Sequence, residues 1–278
     1  MLNFFYIKYI KYIKYIIALI LSLGCCFQSH CAALDVDTLH IKNLSPRENN
    51  ICDSSGQEFI KFKPQQLIAP GILMAAGLIG AIDKDNNLNT SVRDAMTDLS
   101  DGKHFKADDY LRFVPSAAHL LMGSLGVKSR HNFKERFLVS ATAHAAMLIM
   151  GYGTKFVIKE QRPDMSNNHS FPSGHVALAF TGAELLRTEY GIAYGIAGYT
   201  IATGVAFLRL YNNKHWLNDV LMGAGVGILS ARIGYWLLPF ERKLFKINSK
   251  SGKTSTITAT PFYNVHDHAC MIAINAVF

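Results

Sequence analysis

Six apolar segments, at residues 67–82, 114–127, 137–154, 175–186, 191–208 and 216–238, take up most of the chain between positions 67 and 238. Each is rich in small residues and Leu, a composition that favours helices over strands. Helices this apolar must cover their faces with one another or with lipid. The expected fold class is therefore all-α, a bundle of about six apolar helices. Several segments approach the roughly 20 residues needed to cross a bilayer, and others fall short. Half of the residues are hydrophobic and 17% are charged, a balance between that of a soluble domain and that of an embedded transporter, so composition leaves membrane contact open.

The ends of the chain differ from its middle. Lys8, Lys11 and Lys14 precede a short apolar stretch, 15–23, and "HCAALD" offers small residues for cleavage after Ala33, the layout of a secretory signal. Residues 1–33 are expected to be a signal peptide or, if uncleaved, an anchor. Lipid attachment at Cys25 is disfavoured because Ser22 stands where a large aliphatic residue is usual. Residues 34–65 are polar and mixed, an N-terminal extension to the helical domain, 66–240. Within that domain "NTSVRDAMTDLSDGKHFKADDYLRF" has the spacing of short amphipathic helices. The tail, 241–278, turns polar and then alternates in "TSTITATPFYNVHDHACMIAINAVF" like a β-hairpin. Cleavage after Ala33 would leave Cys52 and Cys270, which one disulfide could join in an oxidising compartment.

The formal charge of +8 comes from Lys and Arg at the ends of apolar runs, as in "KSRHNFKERF" and "ERKLFK". No basic stripe with interleaved aromatics appears. Phosphate or anionic lipid is therefore the expected partner, at a membrane, and nucleic acid is not.

Three junctions between apolar segments carry chemistry. "KFVIKEQRP" places Lys155 and Arg162 seven residues apart, two helical turns, at the end of one segment. "PSGH" opens the next, with Pro172 and a Ser173 cap ahead of Gly174 and His175, and a helix N-terminus is a ready anion site. "FLRLYNNKHWLNDV" closes one segment with Arg209 and opens another with His215 and Asp219, four residues apart. At that spacing the carboxylate can hold one ring nitrogen of the histidine and leave the other free to attack. If consecutive helices run antiparallel, all three junctions meet at one end of the bundle. Three cations and a helix N-terminus gathered in an apolar bundle call for an anion with several oxygens. No cluster of His, Cys and Asp has metal-ligand spacing, so no metal or other cofactor is expected.

The run Lys155, Arg162-Pro163, then Pro172-Ser173-Gly174-His175, then Arg209, His215 and Asp219 resembles the three-part signature of the phosphatidic acid phosphatase type 2 superfamily, over about residues 67–239. That superfamily includes lipid phosphatases, bacterial acid phosphatases and vanadium-dependent haloperoxidases. The resemblance implies a metal-independent hydrolase of a phosphate monoester or diphosphate, on a lipid first and on soluble esters as the alternative. A haloperoxidase, with His215 ligating vanadate, is the remote alternative. It implies that His215 attacks phosphorus and forms a phosphohistidine while Asp219 orients it. His175 would protonate the leaving group and then activate water. Lys155, Arg162, Ser173, Gly174 and Arg209 would hold the phosphate oxygens. Two positions depart from the pattern: Leu208 stands where Ser is usual and Val176 where Thr is frequent, and altered phosphate affinity is expected. The expected location is exported and membrane-associated, with the active site facing the periplasm or outside; a soluble periplasmic protein is the alternative.

Overall fold

The computed structural model describes residues 60, 62–82, 87–247, 256–264 and 269–277. The signal, the extension up to residue 59 and Cys52 lie outside these residues.

A 3-10 turn, Pro64–Leu67, leads into α1 (Ile68–Ile82). Three shorter helices follow: α2 (Asn87–Ser100), α3 (Asp108–Leu111) and α4 (Val114–Leu121). The long helices are α5 (Phe133–Val157), α6 (Gly174–Tyr190), α7 (Ile192–Tyr211) and α8 (Leu217–Leu244). Two strands, β1 (Thr256–Asn264) and β2 (Ala269–Val277), close the chain as an antiparallel pair with Thr256 opposite Val277. The architecture is the expected all-α bundle with a hairpin tail.

Local chemistry sets where the helices begin and end. Segment 137–154 was expected to start at Phe137, yet α5 starts four residues earlier. Asn132 Oδ1 accepts from Glu135 N at 3.0 Å, and Glu135 Oε2 accepts from Asn132 N at 3.2 Å. That reciprocal capping draws the polar "FKER" into the helix. Segment 114–127 is shorter than expected as a helix. α4 stops at Leu121, a 3-10 turn occupies Met122–Leu125, and Gly126 follows at φ 90°. α6 runs past its expected end because its acids are paired inside the bundle. Glu184 meets Arg187 at 2.7 Å and Arg232 at 2.8 Å, and Glu189 meets His131 at 2.8 Å.

α8 is the central element, packed on α1, α5 and α6. Its small residues permit this from several sides at once. A methyl at Gly225 would stand 2.8 Å from the Pro70 carbonyl of α1, one at Gly234 2.6 Å from that of Val139 in α5, and one at Gly223 2.6 Å from that of Ser173 at the start of α6. Among the described residues, four helices are long and apolar enough to cross a membrane: Pro64–Ile82, Phe133–Val157, Ile192–Tyr211 and Leu217–Leu244. Ile79 on α1 and Ile149, Phe156 and Val157 on α5 turn outward, a surface that suits lipid and marks the protein as membrane-associated.

Two hydrogen bonds define one end of the bundle. Ser173 N donates to the Asp219 carbonyl at 3.0 Å, which brings the starts of α6 and α8 together. Lys155 Nζ donates to the Pro172 carbonyl at 2.8 Å, which adds the end of α5.

Candidate active site

The start of α8 builds the centre. The helix begins at Leu217, so His215 stands just outside it rather than on its first turn as the spacing had suggested. Asp219, in the first turn, turns its carboxylate back over the helix start. Its Oδ2 accepts from Trp216 N at 2.8 Å, from Ser170 Oγ at 2.5 Å and from His215 Nδ1 at 3.2 Å. Three donors fix the carboxylate, and the carboxylate fixes the ring. With Nδ1 engaged, Nε2 is the nitrogen left to react, a tautomer assigned from these partners. The His215 side chain is only 2% exposed. Burial, and then Arg209, Arg162, Lys155 and His175, hold its proton affinity well below the usual imidazole range. Those four side chains act on His215 through their charge, and the hydrogen bonds of Lys155 to the Pro172 carbonyl and of Ser173 N to the Asp219 carbonyl bring the three junctions to one place. A neutral imidazole is the form that can attack.

Lys155 sits in the last turn of α5, its ammonium tied to the carbonyls of His169 at 2.9 Å and Pro172 at 2.8 Å. Arg162 does not share a helix with it. α5 ends at Val157, Ile158 is extended at φ −107° and ψ 103°, and Pro163 disfavours helical backbone at the residue before it. The two cations reach the same centre from a helix end and from a loop. That loop is pinned by Ser170 N to the Glu160 carbonyl at 2.9 Å and by Trp216 Nε1 to the Gln161 carbonyl at 2.7 Å.

Ser173 occupies the N-cap position of α6 but makes no side-chain cap, contrary to expectation. Its Oγ is buried and has no partner among the described residues, and the same is true of Arg162 Nε and Arg209 Nε. Gly174 opens onto free space, since a methyl there would meet nothing within 4 Å. Val176 is fully buried in the apolar core with Ala206, Val220 and Ile228.

His175 is the second residue of α6. Its Nε2 lies 3.0 Å from Asp109 Oδ1 and 2.8 Å from Arg112 NH1. Burial and Arg209 depress its pKa to about 4, with the Asp109 carboxylate opposing them. Arg209 is held in turn by Asp108, NH1 to Oδ2 at 2.8 Å. Asp108, Asp109 and Arg112 were absent from the sequence reading. Only the acidic pair in "KADDYLRF" hinted at them, and nothing local shows that α3 folds onto the site. Ser170 and Glu160 were missed as well, although an acid between the two cations of "KFVIKEQRP" was a visible oddity.

Ligand atoms of Asp108, Asp109 and His175 lie within 4.8 Å of one another, close enough to share a metal ion. Two guanidiniums already stand on those atoms, Arg209 on Asp108 and Arg112 on His175, and a divalent cation would have to sit against both. The carboxylates fit better as holders of Arg209 and His175.

The chain is 39% identical over 155 residues to the lipid A 1-phosphatase of Porphyromonas gingivalis, which covers 54% of this chain. The chain spans 35% of that relative's length. A solved structure, the transmembrane PAP2-type phosphatidylglycerolphosphate phosphatase of Bacillus subtilis, matches with a TM-score of 0.42 and 21% identity, over 66% of this chain and 98% of that one. The PAP2 superfamily model matches residues 136–243 of this chain, the stretch that includes every side chain gathered round His215 from Lys155 to Asp219.

Proposed function

We propose that this protein is a phosphatase that removes phosphate from a lipid through a phosphohistidine on His215. One observation carries the reading: Arg162 Nε, Arg209 Nε and Ser173 Oγ are buried donors without acceptors, on residues grouped at a neutral histidine. Buried donors left unpaired are costly, and a phosphate offers oxygens to all three.

The reaction follows from the placement. His215 Nε2 attacks phosphorus with its lone pair while the bond to the leaving oxygen breaks. Asp219, on Nδ1, stabilises the positive ring that results. Arg162, Arg209, Lys155 and the N–H groups at the start of α6 face the charge that builds on the phosphoryl oxygens. His175 gives its proton to the leaving oxygen. In the empty site that histidine is held neutral, but a phosphate dianion offsets Arg209 and raises its proton affinity, so substrate loads the acid. Neutral again after the first step, His175 takes a proton from water. The water oxygen then attacks phosphorus, the P–N bond breaks, and phosphate leaves with His215 restored.

A lipid substrate accords with the outward apolar faces of α1 and α5 and with the activity named for the Porphyromonas gingivalis relative. Lys128 and Arg130, in the loop before α5, and Lys134, in its first turn, form a basic cluster at the start of α5, and the 25-residue helix carries the chain about 37 Å from there to the site. Basic loops stay on the cytoplasmic side, which turns the site to the exported face. A cysteine introduced at Ser129 should resist an impermeant thiol reagent in intact cells and react after permeabilisation; labelling of intact cells would refute this orientation. The catalytic reading is tested with purified protein in micelles against a panel of lipid and soluble phosphates. Release from the lipids, abolished in His215→Asn, is expected. Release that survives in His215→Asn, or none from wild type, would refute it.

A further inference from the structure

We propose that Glu160 is a positioning residue that carries a proton and donates it in a hydrogen bond to Asp219 Oδ1, so that the dyad at the start of α8 is a chain of three side chains: Glu160, Asp219 and His215. The inference rests on the phosphatase reading only for its kinetic readout.

The two oxygens of Asp219 are unequally partnered. Oδ2 accepts from Trp216 N, Ser170 Oγ and His215 Nδ1, whereas Oδ1 is buried and meets no donor among the described residues. A buried carboxylate oxygen left without a donor is destabilising. The Glu160 carboxyl is the side chain that interacts with Asp219 besides those three donors and the cations around the site. Two ionised carboxylates have no proton to share and repel each other; one proton between them turns the contact into a hydrogen bond. The surroundings decide which acid keeps it. Asp219 has three donors to stabilise its charge. Glu160 has a single donating group, Asn218 Nδ2, at 3.0 Å from both of its oxygens. Asn218 is itself locked, its Oδ1 accepting from Asn89 Nδ2 of α2 at 2.9 Å and its N donating to Asn89 Oδ1 at 3.3 Å.

The other charged groups around the pair do not change the assignment. Lys155 at the end of α5 acts on Asp219, with its ammonium on main-chain carbonyls. Arg162 from the loop also acts on Asp219, and Arg209 from α7 stands on Asp108. His215 is neutral. Burial, followed by the Asp219 charge, pushes the Glu160 pKa up to about 8. Below that pH the proton is in place. Above it, Glu160 ionises against Asp219, and the carboxylate that orients His215 loses its second anchor.

Three forms of the full-length protein separate this role from a merely structural one. Wild-type kcat/KM for a lipid monophosphate should fall on an alkaline limb near pH 8. Glu160→Gln can donate from its amide to Asp219 and accept from Asn218 Nδ2, so it should stay within about 10-fold of wild type at neutral pH and lose that limb. Glu160→Ala should lose about 10–100-fold at every pH, the usual cost of removing a partner behind a reactive ligand. Infrared difference spectra should show the carbonyl stretch of a protonated carboxylic acid at pH 7 in wild type and in His215→Asn, and not in Glu160→Gln. The proposal is overturned if Glu160→Gln keeps the wild-type limb, if it is as impaired as Glu160→Ala, or if the infrared band is missing. Failure of wild type to release phosphate would refute the phosphatase reading, and the infrared band would still decide the proton on Glu160.

Discussion

Replacing Gly223 of α8 by Ala should harm both stability and catalysis, by amounts the structure sets. The added methyl would stand 2.6 Å from the Ser173 carbonyl and 3.3 Å from Val176 Cβ, where ordinary contact begins at 3.4 Å. The obstacle is main chain, so the start of α6 must retreat by about 0.8 Å to restore contact distance. Alanine improves helix propensity by about 1 kcal/mol over glycine. Overpacking costs about 1–3 kcal/mol, and a rigid main-chain neighbour puts this site at the upper end, for a net loss of about 2 kcal/mol. For a domain of this size that lowers Tm by about 4–8 °C. The same retreat moves Ser173, Gly174 and His175 away from His215, and a positional error near 1 Å costs on the order of 10–100-fold in kcat. Thermal unfolding and phosphate release in detergent would read both. Gly204→Ala on α7 is the control, because a methyl there meets nothing within 4 Å, and it should be neutral or slightly stabilised. A Gly223→Ala protein as stable as Gly204→Ala and as active as wild type would refute the packing argument.

Arg162→Ala and Arg209→Ala should each lower kcat/KM by an amount equivalent to about 2–4 kcal/mol of transition-state stabilisation, measured on a single lipid phosphate. Stability should also depend on pH through His175. Its folded pKa of about 4 lies below the usual 6.5, so the unfolded chain binds more protons between these values and wild type should lose stability as pH falls through that window. Tm measured against pH should show the loss reduced in His175→Asn; an equal loss would assign it to other groups. EDTA should leave the rate unchanged, whereas Asp108→Asn should lower it by loosening Arg209; inhibition by EDTA that added metal reverses would put a cation at Asp108, Asp109 and His175 instead.

The bundle was legible because apolar segments record burial directly, and the residues around His215 were legible because they sit at segment ends, where a polar side chain among apolar ones stands out. Finer placement was not, for reasons of geometry. Spacing put Lys155 and Arg162 on one helix, but Pro163 and the extended Ile158 end that helix first. Ser173 looked like a cap, and its hydroxyl is left free. The α5 start was hidden in polar residues whose helical state depends on the Asn132 and Glu135 exchange. Asp108, Asp109 and Glu160 act through contacts with residues distant in sequence, or through a neighbour's protonation, and neither leaves a local periodic trace.

The most direct test of the account is the identity of the phosphorylated residue. A labelled lipid phosphate is mixed with full-length His175→Asn protein, where the second step should be slow, the reaction is quenched under alkaline conditions that preserve phosphohistidine, and the label is mapped by peptide mass spectrometry. The account predicts one phosphate on His215 and none in the His215→Asn, His175→Asn double variant. Label on another residue, or phosphate release by wild type with no phosphoenzyme trapped in any variant, would contradict it.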